Sequence, residues 1–192
     1  MAGDGTGRVT SGSGADGGRR HAQSARKRSA GLLLYRRRHP RRAGGAGAAD
    51  VEVLLVHPGG PFWARRDEGW WTIPKGEVDE GEDELAAALR ELHEELGVAL
   101  APSAPQPLGE VVQAGGKRVV AWAVESDVDV HALVLGTFEM EWPPRSGRLQ
   151  TFPEVDRVEW FDLGAARRKL LAGQLPLLER LENLAGAGDA TA

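Results

Sequence analysis

Residues 76–98 read GEVDEGEDELAAALRELHEELGV and hold nine acidic side chains against one arginine and no lysine. Leu85, Leu89, Leu92 and Leu96 recur within this stretch at i, i+4, i+7 and i+11, a stripe that an α-helix gathers onto one face. Gly81 and Glu82 open the segment, and Gly97 stands where a left-handed C-terminal cap belongs. The spacing therefore predicts a helix from about residue 82 to residue 96, with its leucines on a core. Glu91, Glu94 and Glu95 are three and four residues apart, so their carboxylates share a face turned away from that core. Like charges held this close repel one another. The helix needs a counter-charge that it does not itself supply.

The chain contains no cysteine, which excludes disulfides and thiolate metal sites. Any metal must then be held by oxygen or imidazole. Three carboxylates make a hard oxygen site suited to Mg²⁺, with Mn²⁺ as the second choice. Arg90, four residues before Glu94, is placed to orient that carboxylate. Taken alone, the same glutamates also describe an ordinary acidic surface helix. His57 and His93 read as surface or loop residues rather than as ligands.

The other elements follow from hydrophobic patterning. SAGLLLYRRR (29–38) and VEVLLVHP (51–58) read as buried strands, joined by a Gly/Pro-rich connection at 39–50. A short strand is expected at 62–65. WWTIPKGEV (70–78) is extended, because Ile73 precedes Pro74. Further strands are expected at 108–113, 118–126, 131–142 and 157–162. One or two closing helices are expected over 163–184, with a break near Gln174-Leu175-Pro176. Strands flanking a central helix indicate an α/β or α+β sandwich.

The 192 residues suffice for one domain with appendages. No apolar run reaches the roughly 18 residues of a membrane span. The N-terminus lacks the apolar region of a secretory signal, so a cytoplasmic location is expected. Residues 1–50 hold 11 Lys+Arg and 3 Asp+Glu, a net of +8, and the remainder holds 13 against 25, a net of −12. Residues 1–28 read as a disordered basic tail. It lacks aromatics to stack on bases, so nucleic-acid binding is not expected of it. The folded body is expected over 29–184, with a second disordered tail at 185–192.

Gly76, five residues, Glu82, seven residues, then Arg90-Glu91-Leu92-x-Glu94-Glu95-x-Gly97-Val98 resembles the signature of the Nudix hydrolase family at every fixed position. The resemblance implies an α/β/α sandwich around a mixed β-sheet, with the signature as a loop-helix-loop. It implies divalent-metal hydrolysis of a pyrophosphate bond in a nucleoside diphosphate derivative. By position, Glu91, Glu94 and Glu95 would be metal ligands, and Glu82 an auxiliary carboxylate. Gly76 would offer its carbonyl, and Arg90 would orient the carboxylates. The expected partner is a nucleotide substrate, and one glutamate would act as general base. A catalytically silent nucleotide-binding module is the alternative, though it predicts a damaged signature.

WWTIPKGEVDEGED resembles the entry to that signature in the diadenosine tetraphosphate hydrolase branch, whose products are ATP and AMP. Lys75 would then point a cation at a substrate phosphate; otherwise it is a surface lysine. FPEVDRVEWFDLGAARRKL resembles the late segment of the same branch, which makes Glu154 either an extra ligand or base, or a plain surface glutamate. FEMEWPPRSGRLQTFPEVDR resembles a bacterial group of NTP pyrophosphohydrolases instead. Arg145 and Arg148 on this stretch are candidates for a phosphate or a base, or are solvated.

Overall fold

The computed structural model describes residues 28–38, 51–100 and 104–189. The expected basic tail up to residue 27, the connection at 39–50 and residues 190–192 lie outside the described residues.

Strands β1 (Arg28–Arg37) and β2 (Val51–Pro58) are almost wholly buried, as their near-continuous apolar runs require of strands covered on both faces. With β3 (Lys75–Glu77), β4 (Gln106–Val112), β5 (Arg118–Glu125) and β8 (Val155–Asp162) they form a six-stranded sheet. Its order is β4-β5-β1-β2-β8, and β3 pairs with the start of β1. β1 and β5 are parallel while the other pairs are antiparallel, so the sheet is mixed. A separate hairpin joins β6 (Thr137–Glu141) to β7 (Leu149–Pro153).

Helices cover both faces. Alternation along β1 sends Leu32 and Leu34 into one core with α1 (Glu84–Leu96). Leu33 and Tyr35 enter the other, with α2 (Leu163–Lys169) and α3 (Leu175–Asp189). The sandwich is thus the α/β/α arrangement implied by the signature.

Several expectations need correcting. Residues 62–65 form a turn, not a strand. The strand expected at 131–142 is only Thr137–Glu141, and it pairs with Leu149–Pro153, where no strand is expected. Neither strand lies in the main sheet. α3 continues to Asp189 with Ala185 buried, past the boundary expected at 184. In α1 the stripe is rotated. Leu89 is exposed, and Ala87 and Ala88 are buried beside Leu92 and Leu96. Small side chains there let the helix axis approach the sheet. Asp83, not Gly81 or Glu82, caps this helix by accepting from Leu85 N and Ala86 N. Gly97 closes it in the left-handed conformation, φ 68°, donating to His93 O. His57 is not on the surface. It is fully buried in β2, its Nδ1 2.6 Å from Asp156 Oδ1 and its Nε2 2.9 Å from the Arg66 carbonyl.

Candidate active site

The segment 71–76 carries the signature's first residues across the sheet end. Trp71 is buried and donates its Nε1 to Asp67 Oδ1 at 2.8 Å. Buried Gln174 accepts from Ile73 N and donates to Thr72 Oγ1, satisfying groups that otherwise would be stranded in the core. Pro74 O accepts from Leu32 N. These contacts hold β3 against β1, with Gly76 directly over α1. A Cβ on Gly76 would lie 1.8 Å from the Glu91 carboxylate. Gly76 is therefore required for Glu91 to occupy its position. Gly76→Ala is expected to lower kcat by about tenfold or more while shifting Tm little, because the atom displaced is the end of a flexible side chain. Parallel assays of turnover and thermal unfolding check this, and unchanged turnover would remove Glu91 from the machinery.

Arg90 organises the carboxylates. Its Nε and Nη2 meet Glu82 Oε1 and Oε2 at 2.9 and 3.0 Å, a bidentate pair. Its Nη1 donates to Glu91 Oε1 at 2.8 Å and to Glu94 Oε2 at 2.9 Å, and Nη2 also reaches Glu77 O. Arg90 and the Asp79 amide pull the Glu82 pKa down to about 2. Both Glu82 oxygens are thus engaged within the protein. There they anchor Arg90. Glu91 is 15% exposed and Glu94 54%, so the cluster opens toward solvent on the Glu94 side.

Glu95 is enclosed and accepts from Lys75 N at 3.2 Å. Burial raises its pKa to about 7, helped by Glu91 and Glu154 and opposed by Lys75. Burial likewise lowers the Lys75 pKa, with Glu95 and Glu91 opposing and Lys117 reinforcing the shift. Glu154, in the link between β7 and β8, comes from a distant part of the chain. Burial raises its pKa too, and Glu91 and Glu94 add to the rise. It is held through Gly136, whose N donates to Glu95 O at 3.1 Å and whose carbonyl accepts from Glu154 N at 2.9 Å. A Cβ on Gly136 would lie 2.7 Å from Glu94 O and 2.8 Å from Glu154 Oε2. Gly136 escaped sequence reasoning because it matters only through partners about 18 and 40 residues away along the chain.

The structure thus brings together Lys75, Gly76, Arg90, Glu91, Glu94, Glu95 and Glu154. It does not bring Arg145 to the carboxylates. That residue, at φ 65°, sits in the turn of the β6–β7 hairpin. Among the described residues, no three acidic or histidine side chains close around one point as a finished cage. The donors nevertheless suit a hard divalent ion. The side-chain donors are carboxylate oxygens, two of them with pKa raised by burial and by neighbouring acids. Mg²⁺ also keeps several waters and shares its shell with substrate phosphates.

The NUDIX domain family model matches residues 26–181. The chain belongs to the Nudix hydrolase family. It is 32% identical over 146 residues to an 8-oxo-(d)GTP phosphatase of Mycolicibacterium smegmatis, a match covering 74% of this chain and 37% of that protein. It is 32% identical over 109 residues to the asymmetrical bis(5'-nucleosyl)-tetraphosphatase of Sus scrofa, covering 54% of this chain and 68% of that one. A solved Ap4A hydrolase binary complex from C. elegans matches with a TM-score of 0.53 at 26% identity, over 83% of this chain and 98% of that chain. The chain therefore spans little more than a third of the length of the mycobacterial relative. The Nudix signature occupies the loop-helix-loop from β3 through Gly97. No helix among the described residues is long and apolar enough to cross a membrane.

Proposed function

We propose that this Nudix chain hydrolyses a pyrophosphate bond in a nucleoside diphosphate derivative, preferring a dinucleoside polyphosphate that it cuts asymmetrically, diadenosine tetraphosphate to ATP and AMP. The observation that carries this reading is the convergence of Glu91, Glu94 and Glu95 on one helix with Glu154 from a separate segment, beside Lys75. The tetraphosphatase relative supports the substrate class, and the likeness to the C. elegans hydrolase extends over most of this chain.

Glu91, Glu94 and Glu95, with the Gly76 carbonyl, would hold Mg²⁺ or Mn²⁺. The ion would neutralise phosphate charge and polarise the scissile P–O bond. Arg90 bridges Glu91 and Glu94 through Nη1 and orients them. Lys75 offers its ammonium to a phosphate oxygen as a compact cation. Glu154, raised by burial and by its acidic neighbours, is suited to take the proton of the attacking water. The cytoplasm remains the expected location.

Lys75→Ala is expected to cost about 1–3 kcal/mol in kcat/KM on long-chain substrates, the scale of one charge-assisted hydrogen bond. The loss should be smaller on ADP-ribose, whose shorter phosphate chain leaves less for the cation to grip. Assays of both variants on both substrates, run in ¹⁸O water, test the reading. Equal losses, or two ADP as products, would remove the dinucleotide assignment. The 8-oxo-(d)GTP phosphatase relative favours a second reading, a nucleoside triphosphate substrate. A nucleotide-library screen with Mg²⁺ and Mn²⁺ separates the two by the substrate with the highest kcat/KM.

A further inference from the structure

The loop after β2 and the β6–β7 hairpin meet beside Glu154. Gly59 N donates to Glu154 O at 2.8 Å. Gly59 lies so close to Pro153 that a Cβ would fall 2.0 Å from its carbonyl oxygen, and one on Gly60 would touch the Phe138 ring. The two segments are therefore locked together from the site outward. Further along, Phe62 of the loop and Trp142 of the hairpin form an edge-to-face pair, 5.1 Å between centroids at 87°. Phe62 is 55% exposed. An edge-to-face pair leaves ring faces open to a third ring. Trp70 offers less, since Trp63 and the Arg66 guanidinium already lie against it.

Charge points to the same class of ligand. Arg65, Arg145 and Arg148 are exposed around this pair, and their side chains make no ion pair among the described residues. The Trp142–Arg148 rung stands five residues beyond the hairpin base, roughly 17 Å at the rise of a strand. An aromatic face and exposed guanidinium groups at that remove from the site, with the Glu141 carboxylate turned onto Gly147 N in the same hairpin end, suit a base separated from the scissile bond by a ribose and several phosphates.

We infer that Phe62 and Trp142 form a stacking ledge for the distal nucleobase of the substrate, with the flanking arginines along its phosphate chain. This deepens the proposed function and rests on it for the direction of the bound chain. The ledge would favour a ligand with a base at each end over a nucleotide with one.

The test is calorimetric binding to the full chain without divalent metal, using diadenosine tetraphosphate and inorganic tetraphosphate as separate probes. Phe62→Ala and Trp142→Ala should each weaken the dinucleotide about tenfold or more, leave inorganic tetraphosphate within about twofold, and Phe62→Tyr should restore the former. Circular dichroism verifies folding, and Phe62→Leu replaces the alanine variant if that one does not fold. Equal weakening of both probes, weakening of neither, or a wild-type chain that binds no dinucleotide would overturn the ledge. Failure of the hydrolase reading shows separately, as wild-type protein that binds the dinucleotide but does not cleave it when Mg²⁺ or Mn²⁺ is added.

Discussion

Glu94→Gln and Glu95→Gln are each expected to lower kcat by about two orders of magnitude or more in saturating Mg²⁺. The two changes keep the shape of the side chain and remove its charge. For Glu94 the loss leaves Arg90 still bonded to Glu82 and Glu91, so the helix should keep its conformation. For Glu95 the Lys75 amide can donate to the glutamine oxygen as it does to the carboxylate. Neither variant should therefore fail by unfolding, and the deficit should appear in kcat and in the metal concentration needed for half-activity. Steady-state assays over a Mg²⁺ titration, alongside circular dichroism, measure both. Near-native turnover in the two variants would sink the assignment of this face to metal binding.

The second large effect is on stability, and it depends on pH. Burial, reinforced by Glu91 and Glu154, raises the Glu95 pKa to about 7 against 4.5 for an ordinary glutamate. Between those two values the folded state binds more protons at this site than the unfolded state does. The metal-free protein therefore loses stability from Glu95 as pH rises through that window, and the loss is complete above the folded pKa. Glu95→Gln removes the penalty. It should be more stable than wild type by about 1–3 kcal/mol at pH 8 and nearly equal at pH 4.5. Chemical denaturation of the metal-free proteins at both pH values checks the sign. A stability difference independent of pH, or one that favours wild type at pH 8, would contradict it. The same proton competes with a cation for the carboxylate, so the apparent metal affinity should weaken as pH falls below about 7.

Both effects trace to features of different legibility. The helix α1, its acidic face and its glycine cap were readable because helical periodicity and capping depend on residues within a few positions of one another. The same is true of β1 and β2, whose apolar runs announce strands covered on both sides. Reading Lys75 and Gly76 as one unit needed only the segment Trp71–Gly76 and its resemblance to a family.

What the local pattern could not supply was position relative to other segments. Leu89 satisfies the stripe as well as Leu92 does, yet the close approach of the helix through Ala87 and Ala88 leaves it in solvent. Glu82 is one acid among nine in its segment, and its capture of Arg90 follows from the fold of the turn before the helix. His57 reads as a surface or loop residue, but Asp156 and the Arg66 carbonyl satisfy its ring inside the protein. Glu154 and Gly136 acquire their place through hydrogen bonds across the chain, and Phe62 meets Trp142 only because a loop and a hairpin share a base. The sequence by itself determined the acidic helix, the buried strands and the side chains available for chemistry, since these rest on short-range spacing. Tertiary structure alone decided that Glu154 joins these acids and that Glu82 anchors the arginine among them, because those depend on how separate segments are placed in space.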